Sequence, residues 1–308
     1  GLLPVALRQT KIYSWNIRQK SVFHGMEISL ELFSKDFDGY PDSTALNASG
    51  SEVTGAQHLT EALIGRDEFG IERSTNWNAP DNSAYNTKPP KNFYLSTVEE
   101  SRNRRKGPYY EMKHINMYAI YEVWGSTSGS NIFDSQDAVE KQTYSDRAPL
   151  FFDVFKRHRV TLNGPGGSTQ NALVGMPIMY FKAKQNTRTQ FRLDDQSPPV
   201  VIPDGQFTKP VCQKWTYNLF DNIEVINLKF LQDPFRVDGI DVDHHYPDVD
   251  QDSDTSEGIG QMFYQSITQR VDANRNYYKP FNANTFLLIS AGWDGAYGTR
   301  DDITNFNY

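Results

Sequence analysis

The chain has 308 residues, with 38 acidic against 31 basic side chains, a net charge of −7 and one cysteine, Cys212. This length allows a substantial core, in one large domain or two moderate ones. The apolar and aromatic content excludes a disordered chain, the charge balance gives no support to nucleic-acid binding, and a single cysteine excludes an internal disulfide.

The first predicted element is a long helix that begins near Leu2. Apolar residues recur in it at steps of three, four and seven, which is typical of one helix face: Ile12, Trp15, Val22, Met26, Leu30, Phe33 and Phe37. The pattern stops at "DFDGYPDS", where Asp38-Gly39 and Pro41 favour a break. A helix from Leu2 to Lys35 would be about 50 Å long, far above the usual length in globular domains.

The start of this helix, "GLLPVAL", is apolar and contains Pro4. We interpret it as the end of a longer apolar segment, in which Pro4 kinks a helix that continues from upstream. Four bases follow before the first acid: Arg8, Lys11, Arg18 and Lys20. Such a basic stretch could lie at lipid headgroups, and a plain surface helix is the alternative.

Further elements follow a polar linker. "TGAQHLTEALIG" predicts a second helix, capped by Thr54 and ended by Gly65, and residues 66–107 predict an extended loop region. Strands are predicted at "HINMYAIYEVWG", "GMPIMYFKA" and "NTFLLISAG". "APLFFDVFKRHRVTL" and "MFYQSITQRV" are each compatible with a helix or a strand.

One strongly acidic loop contains seven acids and no Lys or Arg within residues 241–257. Four of them alternate as in the first half of an EF-hand loop: Asp248, Asp250, Asp252 and Asp254. An EF-hand is not expected, because Ser253 stands where that loop needs Gly and Ile259 where it needs Glu. A second, irregular calcium site and a solvated acidic loop both remain open.

The triplet Asp243-His244-His245 in this loop suggests an alternative function. A DHH triplet occurs in manganese phosphoesterases, whose dinuclear site also needs further Asp and His ligands. No other acid–histidine cluster accompanies the triplet, so we expect no enzyme.

The closing stretch "SAGWDGAYGTRDDITNF" groups Asp294, Asp301 and Asp302 around Gly295 and Gly298. The glycines allow a tight reversal that brings Asp294 back towards the other two carboxylates. Carboxylates that meet repel one another unless a cation lies between them, and oxygen ligands without His or Cys favour Ca²⁺. A bare acidic surface turn is the alternative.

This order of motifs resembles the major pseudopilin of type II secretion systems, within the type IV pilin-like filament superfamily. "GLLPVALRQ" resembles the end of that family's apolar N-terminal segment, "MEISLELFSKDFDGYP" its helix end, and "SAGWDGAYGTRDDI" its calcium loop. The resemblance implies that Asp294, Asp301 and Asp302 bind Ca²⁺, with backbone carbonyls completing the shell. Residues from about 66 to 280 have no counterpart in typical members.

We therefore expect an α+β, pilin-like fold in which a long N-terminal helix packs on an antiparallel sheet, with large loop insertions and a C-terminal calcium loop. Residues 1–37 would form a helical stem, and residues 38–308 a globular head with an insertion at about 66–280. The expected contacts of the stem with neighbouring subunits are Leu3, Ile12, Trp15, Val22 and Met26.

The function that the resemblance implies is that of a filament subunit that polymerises with identical copies. Other pseudopilins and the secretion or pilus assembly machinery are further expected partners, and nucleic acid is not. The filament would be extracellular, at the cell surface or periplasmic, and its subunit would be anchored in the inner membrane before assembly, through a segment upstream of this sequence. The alternatives are the metal-dependent phosphoesterase around Asp243-His244-His245 and a monomeric calcium-stabilised binding module.

Overall fold

A computed structural model describes fourteen parts of the chain. They are residues 2–43, 45–46, 52–65, 68–72, 103, 105–118, 123, 149–156, 158–163, 169–184, 191–192, 216–226, 261–272 and 277–306. Within them an N-terminal helix is combined with small antiparallel sheets, so the fold is α+β, as predicted.

The N-terminal helix, α1, runs over Leu2–Phe37 and contains 36 residues. Pro4 lies in its first turn, where the missing N–H is not needed, and the helix continues through it. Asp38 follows with a φ of 61°, and the Gly39 N–H donates to the Ser34 carbonyl at 3.1 Å. The predicted end of the helix is therefore confirmed, two residues beyond Lys35.

A three-stranded antiparallel sheet forms the centre of the head. Its strands are β9 (Met179–Lys182), β13 (Phe286–Ser290) and β14 (Ile303–Thr304), and β13 lies between the other two. Phe286 pairs with Lys182, and Ile289 pairs with Met179 on one side and Thr304 on the other. The strands predicted at "GMPIMYFKA" and "NTFLLISAG" are confirmed, with shorter bounds than the sequence patterns.

The second helix, α2, runs over Gly55–Ile64, and all ten of its residues are buried. The Thr54 hydroxyl accepts a hydrogen bond from the Gln57 N–H at 3.2 Å, and Gly65 ends the helix with a φ of 81°. Both predicted caps are confirmed. The helix contacts β9 and α1, so it lies between the stem and the sheet.

The two faces of the central sheet belong to two apolar clusters. Side chains alternate along β13: Leu288 packs with α1 and α2, whereas Leu287 and Ile289 pack on the other side. On the helix side the core takes five residues of α1, none more than 5% exposed: Val22, Phe23, Met26, Leu30 and Phe33. The C-terminal half of α1 is thereby fixed to the head.

The other described strands form two-stranded sheets and one further three-stranded sheet, all antiparallel. They are β1 (Ala45–Leu46) with β2 (Glu52–Val53), β3 (Ile71–Glu72) with β4 (Arg105–Lys106), β5 (Asn116–Tyr118) with β6 (Leu150–Phe152), β7 (His158–Asn163) with β8 (Thr169–Val174), and β10 (Phe191–Arg192) with β12 (Tyr277–Pro280) and β11 (Thr268–Asp272). Short helices run over Ile223–Ile226 and Gln261–Ser266, and single 3₁₀ turns over Met112–His114 and Leu219–Asn222.

The two segments for which the sequence allowed a helix or a strand each contain two elements of secondary structure. "APLFFDVFKRHRVTL" forms two strands, β6 and β7, and "MFYQSITQRV" belongs to a short helix followed by β11. The predicted insertion at residues 66–280 contains β9, the strand that pairs with β13 in the central sheet. Part of that stretch is therefore built into the head.

Candidate metal centre

The closing loop, residues 291–302, joins β13 to β14. Three glycines give it left-handed backbone: φ is 68° at Gly292, 79° at Gly295 and 92° at Gly298. A Cβ on Gly292 would stand 2.1 Å from the backbone oxygen of Asp301, so only glycine allows the two ends of the loop to approach this closely. The predicted tight reversal is confirmed.

The reversal brings Asp294 and Asp301 together. The Asp294 N–H donates to Asp301 Oδ2 at 2.7 Å, and Asp294 Oδ1 accepts from the Ala296 N–H at 2.8 Å. The Thr299 hydroxyl donates to Asp301 Oδ1. Thr299 thus supports the turn by hydrogen bonding to an acid within it.

The electrostatics of this pair favour a positive charge between the carboxylates. Burial, together with the neighbouring Asp301 carboxylate, raises the pKa of Asp294 to about 7. Two acids in contact at neutral pH need a shared proton or a cation. Carboxylate and carbonyl oxygens are the donors that Ca²⁺ prefers, so the chemistry of the loop fits this ion.

Asp302 lies at the end of the loop, and its Oδ2 accepts from the Gly298 N–H at 2.9 Å. Within the described ranges, no three Asp, Glu, His or Cys side chains form a group that could hold a metal ion. The structure therefore brings together two of the three predicted ligands. The assignment of Asp302 as a third ligand stays a prediction.

A buried acid that sequence reasoning missed lies behind the loop. Asp153 is fully buried, and its Oδ2 accepts from the Ser290 hydroxyl at 3.0 Å. The Ser290 oxygen in turn accepts from the Gly292 N–H at 3.2 Å. The pKa of Asp153 is raised to about 8, mainly by burial and to a smaller extent by the charge of Asp301, against the lowering effect of hydrogen bonds from Ser290 and the Phe155 backbone.

These contacts connect the first residues of the loop to the strand region around β6. Tyr297 adds a second anchor, since its hydroxyl donates to the Pro177 carbonyl at 2.5 Å. The only sequence signal for Asp153 is a lone acid inside the apolar run "LFFDVF". Its partner Ser290 lies 137 positions away, a distance that no local pattern bridges.

The loop also touches α1. The ring of Trp293, the residue before Asp294, lies 4.9 Å from the ring of Trp15, and Trp15 also packs edge-on against Phe155 at 6.0 Å. Near the other end of the loop, Asn305 Nδ2 donates to Glu27 Oε1 at 3.2 Å. The candidate metal loop therefore lies at the junction between stem and head.

The predicted filament contacts need correction. Val22 and Met26 are buried in the core of their own chain and offer no surface to a neighbour. Trp15 is partly buried and packs on Trp293 and Phe155. The pattern indicated an apolar face correctly, but that face packs on the head. Ile12 is partly exposed, and the side chain of Leu3 lies outside the described part.

Two further predictions lie outside the described residues. They are the candidate second metal site at Asp248, Asp250, Asp252 and Asp254, and the triplet Asp243-His244-His245. Both stay predictions.

Comparison of the chain with known protein families, curated proteins and solved structures gave no match. Among the described helices, none combines the length and the apolar character needed to cross a membrane.

Proposed function

We propose that this chain is a structural subunit of a pilin-like or pseudopilin-like filament, which polymerises through α1 and has a calcium-stabilised C-terminal loop. Exposed apolar residues in the N-terminal part of α1 carry the proposal. Leu7, Tyr13 and Ile17 are 65%, 68% and 53% exposed. Large apolar side chains that recur along one exposed helix favour burial against another protein surface.

The shape of the subunit agrees with this role. One side of the C-terminal half of α1 is buried against the head, whereas residues 6–11 at its N-terminal end are all exposed. A helix that packs on its own head at the C-terminal end and is exposed to solvent at the N-terminal end can pack against the helices of other copies. The filament would be extracellular, at the cell surface or periplasmic, with other pseudopilins and the secretion or pilus assembly machinery as further partners.

In the proposed subunit, calcium is held by Asp294 and Asp301, with Asp302 and backbone carbonyls as further ligands. The ion would supply the positive charge that offsets the repulsion between the two adjoining carboxylates. The chain itself orients the loop through Ser290, Tyr297 and Trp293, which hold it to β6, to Pro177 and to α1.

Sedimentation velocity and negative-stain electron microscopy over a range of protein concentrations test the proposal. We expect concentration-dependent polymers from the unaltered chain. Leu7→Asp should reduce them strongly, because it places a charge in the apolar contact. The matched control is Gln9→Asp, which adds the same charge at an exposed polar position of the same helix.

Monomers at every concentration would contradict the filament and favour the monomeric calcium-stabilised module. Equal assembly of the Leu7 and Gln9 variants would contradict a contact through the N-terminal end of α1. Hydrolysis of a phosphoester that depends on manganese and on His244 would favour the phosphoesterase instead.

A further inference from the structure

Four exposed apolar side chains on α1 form two separate pairs. The distal pair is Tyr13 and Ile17, 68% and 53% exposed, and the proximal pair is Ile28 and Leu32, 51% and 46% exposed. Between the pairs, the same side of the helix carries the exposed polar residues Ser21 and His24. The helix therefore presents two apolar patches of similar size.

These pairs point away from the head. Successive residues of an α-helix are rotated by about 100°, so the mean direction of the two pairs differs by roughly 180° from that of the buried α1 residues. The head covers the opposite side of the same helix, where Met26 and Leu30 are fully buried. Both pairs remain accessible to a partner after the head has folded.

The spacing of the pairs is self-complementary. Within each pair the two residues are four positions apart, and each residue of the distal pair precedes its counterpart in the proximal pair by 15 positions. A parallel copy of α1 displaced by 15 residues, about 22 Å at 1.5 Å per residue, sets Tyr13 against Ile28 and Ile17 against Leu32.

The charges on α1 favour the same displacement. All four charged residues between positions 8 and 20 are basic: Arg8, Lys11, Arg18 and Lys20. The part from position 27 to 38 carries four acids and, as its only base, Lys35: the acids are Glu27, Glu31, Asp36 and Asp38. Displacement by 15 residues brings positions 8–20 of one helix beside positions 23–35 of the next, which contain Glu27, Glu31 and Lys35. Four bases then face a stretch with a net charge of −1, so the net attraction is compatible with this pairing.

We propose that the distal pair of one chain docks on the proximal pair of a second copy, in parallel and displaced by 15 residues. The two patches of this contact are different, so each subunit keeps one of them open for the next copy, and the assembly grows without closing. The register rests on the proposed filament. An antiparallel pair would instead set Ile17 against Ile28, use both patches of each chain at once, and close as a dimer.

Cysteine cross-linking distinguishes the two arrangements, in a Cys212→Ser background that removes the native thiol. The test variant is Ile17→Cys/Leu32→Cys, and the matched register control is Ile17→Cys/Ile28→Cys. A disulfide needs Cα atoms within about 7 Å, so neither pair can close within one helix. Thermal unfolding under reducing conditions establishes that both variants keep the fold.

After mild oxidation of the assembled protein, we expect the test variant to give a ladder of covalent multimers on a denaturing gel, and the control to lose the ladder. A control that yields dimers and nothing larger would overturn the parallel register in favour of the antiparallel pair. Polymers that form normally while neither variant cross-links would overturn the docking of the pairs but leave the filament intact. A chain that stays monomeric before oxidation would overturn both proposals.

Discussion

The two faces of α1 carry the same kinds of side chain and lie in different surroundings. Met26 is fully buried, whereas Ile28, two positions later, is 51% exposed. Met26 and Leu30 on the buried face pack in the core, whereas Ile17 and Ile28 on the exposed face are accessible to solvent or to another protein. Apolar character alone therefore does not tell which face of a helix belongs to its own domain.

The difference separates two kinds of effect. A change on the buried face acts on the folded state of the single chain, while in the proposed filament a change on the exposed face acts on association. The candidate metal loop belongs with the buried face, because Trp293 touches Trp15 and Asn305 touches Glu27.

The largest effect is expected from the buried face. Met26→Ala should lower the free energy of unfolding by about 2–5 kcal/mol, because it leaves a cavity among packed side chains. Ile28→Ala is the matched change on the exposed face and should stay within about 0.5 kcal/mol. Denaturant unfolding of both variants as monomers measures the two changes in the free energy of unfolding. Equal decreases would show that the two faces of α1 do not differ in their contribution to the stability of the single chain.

Removal of calcium should act like a change on the buried face. A chelator is expected to lower the free energy of unfolding by about 2.7 kcal/mol relative to calcium at a hundredfold excess over its Kd. Asp294→Ala and Asp301→Ala should no longer respond to calcium, and magnesium should rescue poorly because it demands a tighter octahedral shell.

The melting temperature with and without chelator measures this effect. Ser14→Ala, which changes an exposed position of α1 and none of the acids of the loop, is the control and should keep the full response to calcium. A melting temperature that does not change on chelation would contradict the calcium site.

A smaller effect is expected from the contact between stem and loop. Trp15→Ala and Trp293→Ala should be coupled by about 0.5–1.5 kcal/mol in a double-mutant cycle, because their rings are in contact. Leu7→Ala with Trp293→Ala is the control cycle and should show no coupling. Independent effects of the two tryptophans would place the loop outside the stem junction.

The pH dependence of the chelated protein should be gradual. Folding raises the pKa of Asp294 to about 7 and that of Asp153 to about 8, both from an ordinary value of 3.8. An acid whose pKa is raised on folding stabilises the folded state at pH values below its ordinary pKa. This stabilisation is lost as the pH rises through the pKa of the folded state. Between about pH 4 and 8 the chelated protein should therefore lose stability.

Calcium should reduce that loss, since it stabilises the ionised form of Asp294. Thermal unfolding across this pH range, with and without chelator, gives the two curves. Parallel curves would show that the loop carboxylates do not hold the ion.

Local sequence signals predicted the elements that depend on local rules. Asp38-Gly39 and Pro41 gave the end of α1, Thr54 and Gly65 gave both ends of α2, and each acts through its own backbone or its near neighbours. The approach of Asp294 to Asp301 was predicted for the same reason, because the two acids are only seven positions apart and Gly295 and Gly298 set the turn between them.

Features that depend on distant partners could not be predicted. The hydrogen bond between Asp153 and Ser290 joins strands that are remote in sequence, so the lone acid in "LFFDVF" gave no hint of its partner. The sequence also does not show which residues of α1 face the core of their own chain. Val22 and Met26 were expected to contact neighbouring subunits, because no local pattern indicates that they pack in one cluster with residues of α2 and β13.

Sedimentation velocity of Ile17→Asp/Ile28→Asp beside the unaltered chain, with thermal unfolding of both, tests the division of α1 most directly. We expect polymers from the unaltered chain and monomers from the variant, and the same melting temperature for both proteins at concentrations where the unaltered chain is also monomeric. A variant that assembles as well as the unaltered chain, or an unaltered chain that stays monomeric, would contradict this division.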